Sequence, residues 1–151
     1  MQVMSAGTGI RHSEYNLEQD VTKIFQIWIV PRERGGAPSW GAKPFPKQDR
    51  AGRFVTLASG IASDDDALPI RADARVAGAT LTAGQTAEYH LGADHKAYLV
   101  PATGVVEVNG VRVAARDGSA VQDEKGLRVR ALEDAEVVLV DTADAASPQI
   151  E

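Results

Sequence analysis

Residues Val105–Val113 read "VVEVNGVRV". Apolar and polar side chains alternate on both sides of Asn109-Gly110, the pattern of strands with one face in a core and one in water. Asn-Gly is also the dipeptide that a two-residue type I′ turn asks for, because both of its central positions need positive φ. The stretch predicts a tight β-hairpin. Outward from it, short apolar segments recur with turn signals between them. Before it come "RFVTLA" from Arg53, the acidic turn "SDDDA", "LPI", "ARVAGATL", "TAEYHL" and "KAYLVPA". After it come "VRVAA", "SAV", "LRVRA" and "EVVLVD", with a second tight turn expected at Asp117-Gly118. Strands this short at such even spacing predict an all-β sandwich or small barrel.

The N-terminal part reads differently. "KIFQIWIV", Lys23 to Val30, is apolar on both alternating faces and predicts a strand covered on both sides. Residues 31–52 carry four prolines and four glycines and predict a long connection, with Trp40 and Phe45 as tacks that hold it down. "NLEQDVTKI" has room for one helical turn at most.

The bulk composition narrows the function. A chain of 151 residues is the size of one domain and can bury a real core. Its net charge of −5 argues against direct contact with a nucleic-acid backbone, which needs a clustered basic surface. There is no cysteine, so disulfides, thiolate metal sites and cysteine nucleophiles are excluded. The longest apolar runs, "IWIV" and "VVLV", are too short to span a membrane. Without a basic and hydrophobic signal layout near Met1, a soluble cytoplasmic protein is expected.

Few residues carry chemistry. His12 and Glu14, in "GTGIRHSEYN", are two apart on an expected strand, so both side chains face one way. An imidazole and a carboxylate together suit iron, nickel, manganese or zinc. His90 and His95 follow, but Gly92 breaks any His-x-His pattern, and these two are expected to be ordinary histidines flanking a turn. Asp64-Asp65-Asp66 reads as a turn between strands rather than a calcium corner. Asp123-Glu124 reads as a structural turn. Ser13 beside His12 is no nucleophile–base pair, since adjacent strand residues point to opposite faces.

The stretches "VMSAGTGIRHSEYN" and "IFQIWIVP", followed by "DARVAGATLTAGQ", "KAYLVPATGVVEVNGV", "DGSAVQDE" and "AEVVLVD", resemble the pirin family, the bicupins that include bacterial quercetin 2,3-dioxygenases. The resemblance covers nearly the whole chain. It implies a cupin-type double-stranded β-helix, a jelly-roll barrel, with an N-terminal remnant strand pair. Residues 1–30 would then be a remnant of the first cupin, 31–52 the connection, 53–143 the second cupin barrel, and 144–151 a tail.

The family's metal lies in the first cupin, held by three His and one Glu. His12 and Glu14 match the third His and the Glu. The other two belong to a His-x-His motif upstream, and this sequence contains no His-x-His. The resemblance therefore implies an incomplete half-site of His12 and Glu14, with Glu14 also a catalytic base only in a complete first cupin. A divalent metal (Fe, Ni, Mn or Zn) is implied for the family, and none is required in this chain alone. Three roles follow: part of a metal-dependent dioxygenase acting on a flavonol, a metal-dependent regulator docking on protein partners, or a structural and oligomerising barrel inactive by itself. Homo-oligomerisation is expected through an exposed strand 23–30, with no contact to nucleic acid or membrane.

Overall fold

The computed structural model describes residues 1–143, so the expected tail at 144–151 lies outside the described residues. In chain order its strands are β1 (Gln2–Ser5), β2 (Ser39–Ala42), β3 (Val55–Ser59), β4 (Leu68–Pro69), β5 (Ala74–Leu81), β6 (Thr86–His90), β7 (His95–Thr103), β8 (Val106–Val108), β9 (Val111–Val113), β10 (Ser119–Val121), β11 (Gly126–Ala131) and β12 (Ala135–Ala143). One short 3-10 turn, Lys47–Arg50, precedes β3. The all-β expectation holds.

Side-chain alternation builds the barrel. In β11, Leu127, Val129 and Ala131 are buried while Arg128 and Arg130 face water. β12 likewise turns Ala135, Val137, Leu139 and Asp141 to one side. A six-stranded sheet, in the order β10-β7-β12-β5-β3-β4, faces a four-stranded sheet in the order β6-β11-β8-β9. Between them lies an aliphatic core that includes Leu81, Leu99, Val106, Leu127, Val129, Val137 and Leu139. Each such side chain, fully buried, contributes roughly 1.5–3 kcal/mol of transfer free energy. With aromatics so sparse, Phe54 and Tyr89 supply the one edge-to-face ring contact found among the described residues, at 5.5 Å between centroids.

The predicted hairpin is β8–β9. Val108 pairs directly with Val111, leaving Asn109 and Gly110 as the two loop residues, at φ 47° and 89°. The expected turn at Asp117-Gly118 lies slightly earlier, at Ala114–Asp117, where Asp117 N–H bonds the Ala114 carbonyl and Arg116 takes the left-handed conformation.

The N-terminal expectations need correction. Neither the His12–Glu14 stretch nor Lys23–Val30 forms a strand. A strand is defined by its ladder, and no partner among the described residues runs beside these segments. Far from being covered on both sides, Trp28 is 87% exposed, and Ile24 and Val30 are also open to solvent. The doubly apolar strands are instead β5 and β12. Their inner faces fill the barrel, while Val76, Val138 and Val140 on the outer face meet Val3, Ile29, Phe45 and Ile70 in a second cluster.

The remnant strand pair exists as β1–β2, but β2 comes from within the 31–52 connection. Phe45 is a tack as expected, with the Lys43 ammonium over its ring at 5.5 Å. Trp40 is not, being 63% exposed. No helix forms at 16–24. There Asn16 accepts from the Glu18 amide and the Thr22 hydroxyl and donates to the Asp20 carbonyl, a local turn in place of a helix.

Candidate functional site

Strand β1 leads directly into the His12–Glu14 stretch. Its exit turn is closed by the Gly9 amide on the Ala6 carbonyl, at 2.8 Å, and pinned to the connection by the Thr8 amide on Gly36. Beyond it the chain forms no ladder, yet the side chains of His12 and Glu14 come together. His12 Nε2 lies 3.9 Å from Glu14 Oε1, with the two side chains 36% and 50% exposed. Gln2 donates from Nε2 to Glu14 Oε1 at 2.7 Å, and its own Oε1 accepts from the Trp40 indole at 3.4 Å.

The donor set fits a divalent cation in type and in reach. Bonds of about 2.1 Å to a nitrogen and an oxygen let one ion span donors up to about 4.2 Å apart. The number of ligands falls short. Among the described residues no three His, Cys, Asp or Glu side chains come together in a way that could hold a metal. His90 is exposed and His95 lies elsewhere, so neither joins His12 and Glu14.

A second polar constellation sits inside the barrel, and sequence reasoning missed most of it. His90 ends β6 and His95 begins β7, flanking a turn as expected. His95, however, is far from ordinary. Its Nδ1 donates to Asp141 Oδ1 at 2.5 Å, and Asp141 is completely buried. Tyr89 donates its hydroxyl to Asp141 Oδ2 at 2.9 Å, and Arg75 Nη1 lies 3.9 Å from that same oxygen. Arg75 spends its closer contact on Asp64, Nε to Oδ2 at 2.6 Å, which also accepts from Ser59 at 2.6 Å.

The electrostatics follow from these contacts. The Arg75 hydrogen bond, then that of Ser59, holds the Asp64 carboxyl below the usual carboxylate range. Asp64 in turn raises Arg75. Burial, and next the charge of Asp141, push the Tyr89 phenol well above its ordinary value. The imidazole of His95 lies flat against Gly92, where a Cβ would come within 3.0 Å of the ring. Both sheets contribute, β6 from one and β5, β7 and β12 from the other. The arrangement braces the barrel end. A signal for it was present: Val137, Leu139 and Asp141 share one parity, and so do Ala87 and Tyr89, which places polar residues on core-facing positions.

The remaining candidates are structural. Asp64 is committed to Arg75 and Ser59, and the Asp66 carbonyl accepts from Lys43 at 2.6 Å, so the acidic run is a turn as expected. Asp123 and Glu124 line an open recess of about 620 Å3 beside β6 and β11, of which Glu14 is no part. A smaller apolar crevice of about 230 Å3 lies between Phe25–Ile27 and Tyr98, Val100, Val138 and Val140. No helix among the described residues is long and apolar enough to cross a membrane.

Residues 56–142 match the family described as the quercetinase C-terminal cupin domain, and residues 1–29 match the family described as pirin. A pirin-like protein of Caulobacter vibrioides is 68% identical over 143 residues, covering 95% of this chain and 62% of that relative. A quercetin 2,3-dioxygenase of Escherichia coli K12 is 33% identical over 141 residues, covering 93% and 59%. The crystal structure of the bacterial pirin YhhW from Escherichia coli, in complex with nickel(II), superposes with a TM-score of 0.81 at 30% identity, over 95% of this chain and 61% of that one. The chain thus spans about three-fifths of the length of the curated relatives it matches.

Proposed function

This chain belongs to the pirin family, and from that premise we propose that it supplies the second cupin barrel and two metal ligands, His12 and Glu14, of a quercetin 2,3-dioxygenase-like protein. The observation that carries the reading is the 3.9 Å approach of His12 Nε2 to Glu14 Oε1 within the stretch that matches pirin. The nickel-bound pirin of Escherichia coli and the dioxygenase relatives support a divalent metal as the group held there.

A divalent cation bound here would polarise the hydroxyl and keto oxygens of a flavonol and favour its reaction with oxygen. His12 would serve as a neutral ligand through Nε2. Among the described residues only Oε1 of Glu14 is hydrogen bonded, which leaves Oε2 to take a proton from a substrate hydroxyl. Two ligands on an open surface neither exclude water nor fix a substrate. By itself this chain is therefore expected to be inactive. Oxygen uptake with quercetin and added Fe(II) or Ni(II) checks this directly. The rate should equal that of His12→Ala, and a wild-type rate clearly above that variant would refute the proposed inactivity.

A second role, self-association, is favoured by the apolar strip. Phe25, Ile27 and Tyr98 are solvent-exposed around the 230 Å3 crevice, and Trp28, next in the chain, is exposed as well, a concentration of large apolar groups unusual for a monomer surface. The barrel in this reading acts as a scaffold that pairs through residues 23–30.

A further inference from the structure

Gln2 is the side chain that grips Glu14, and its own setting is fixed from both ends. A carboxylate only accepts hydrogen bonds and an indole only donates them. The amide of Gln2 can therefore satisfy both neighbours one way round, Nε2 toward Glu14 Oε1 at 2.7 Å and Oε1 toward Trp40 Nε1 at 3.4 Å. The opposite flip would set oxygen against carboxylate and NH2 against indole N–H.

The β1–β2 ladder provides the frame. Gln2 lies opposite Ala42 and Met4 opposite Trp40, so Gln2 and Trp40 are diagonal neighbours on one face. The end of the ladder is closed by the Lys43 amide on the Met1 carbonyl and by the terminal ammonium on the Lys43 carbonyl, both at 3.0 Å. The oxygen held by Gln2 is the same one that faces His12.

We infer that Gln2 is a positioning residue for the metal ligands, setting the rotation of the Glu14 carboxylate against the His12 imidazole, and that Trp40 acts through Gln2 by fixing its amide. This rests on the reading of His12 and Glu14 as ligands. It adds to that reading a Trp40–Gln2–Glu14 relay carried by the β1–β2 strand pair.

The test is a Ni(II) titration of this chain, followed by paramagnetic broadening of the His12 ring and nearby amide NMR signals. Gln2→Ala should weaken the site by about tenfold, as loss of a partner that orients a ligand does elsewhere. Trp40→Phe keeps the ring but not the donor and should cause a smaller loss. The double variant should bind no more weakly than Gln2→Ala, because Trp40 works only through Gln2. Unchanged barrel signals in each variant show that the fold is retained. Wild-type affinity in Gln2→Ala, with binding lost in His12→Ala, would overturn the relay and leave the ligand reading standing. Full additivity of Trp40→Phe with Gln2→Ala would also overturn it. No site-specific broadening in the wild type would overturn the relay in this chain, and broadening unaffected by His12→Ala and Glu14→Ala would remove the ligand reading as well.

Discussion

Asp141 is a carboxylate with no access to water, and it persists because each oxygen has a donor, His95 on one and Tyr89 on the other. Removing one member of such a cluster costs more than the cluster contributes, since the remaining groups keep their desolvation penalty. Asp141→Ala should lower stability by about 3–5 kcal/mol, and Tyr89→Phe by about 1–3 kcal/mol, both read from urea denaturation at neutral pH. The two shifted groups also predict pH limits. Asp64 has a folded value below its unfolded one, so its contribution is present above the unfolded carboxylate range and fades as pH falls through the folded value. Tyr89 is raised, so its contribution is present below about pH 10 and is lost as pH rises beyond it. Midpoints measured across pH should fall on both sides, with a weaker acid limb in Asp64→Asn and a weaker alkaline limb in Tyr89→Phe. Of this cluster only His95 and Asp64 stand out in the sequence. Its members stand 46 and 52 residues apart, and only the pairing of strands brings them together. His12 and Glu14 were legible because their proximity is local, two residues apart along the chain.

Among the elements, the β8–β9 hairpin shows how a turn can set a register. Asn109 does more than accept a left-handed backbone. Its Oδ1 accepts from the Arg128 amide at 2.7 Å and its Nδ2 donates to the Gly126 carbonyl at 3.1 Å, stitching the turn to β11. Asn109→Gly keeps the backbone freedom and loses both bonds. It should cost about 1–2 kcal/mol, less than Gly110→Val, which places a β-branched residue at φ 89°. Thermal melts of the two variants give the comparison. Strands such as β7, β8 and β11 were readable because each alternates against a core it helps to make. Lys23–Val30 was misread for the complementary reason. Its composition suits a strand, but composition supplies neither the neighbour nor the ladder, and the segment rests on the outer face of the sheet, through Ile29, without pairing.

At the scale of the whole molecule the six-stranded sheet is dressed unevenly. The barrel side is sealed, while the outer side is covered by Val3, Ile29, Phe45 and Ile70 only in part, with Tyr98 and the crevice beside it open. Burial of that strip in a second copy is the expected outcome. Size-exclusion chromatography with light scattering at tens of micromolar should show a mass above the 16.0 kDa of one chain. Trp28→Lys should shift the distribution toward that value, and a clean wild-type monomer would count against association through residues 23–30.

The order of the strands carries one more consequence. β12 is the last strand described, yet it lies between β7 and β5 near the middle of the larger sheet, in eight-residue register with each. Both neighbours must wait for it. During synthesis the ribosome can release residues 53–131 as hairpins and single strands, but the larger sheet stays split until Ala143 has cleared the exit tunnel. Nascent chains stalled before Ala135 are therefore expected to be protease-sensitive along β5 and β7, with resistance arriving in a single step once β12 emerges.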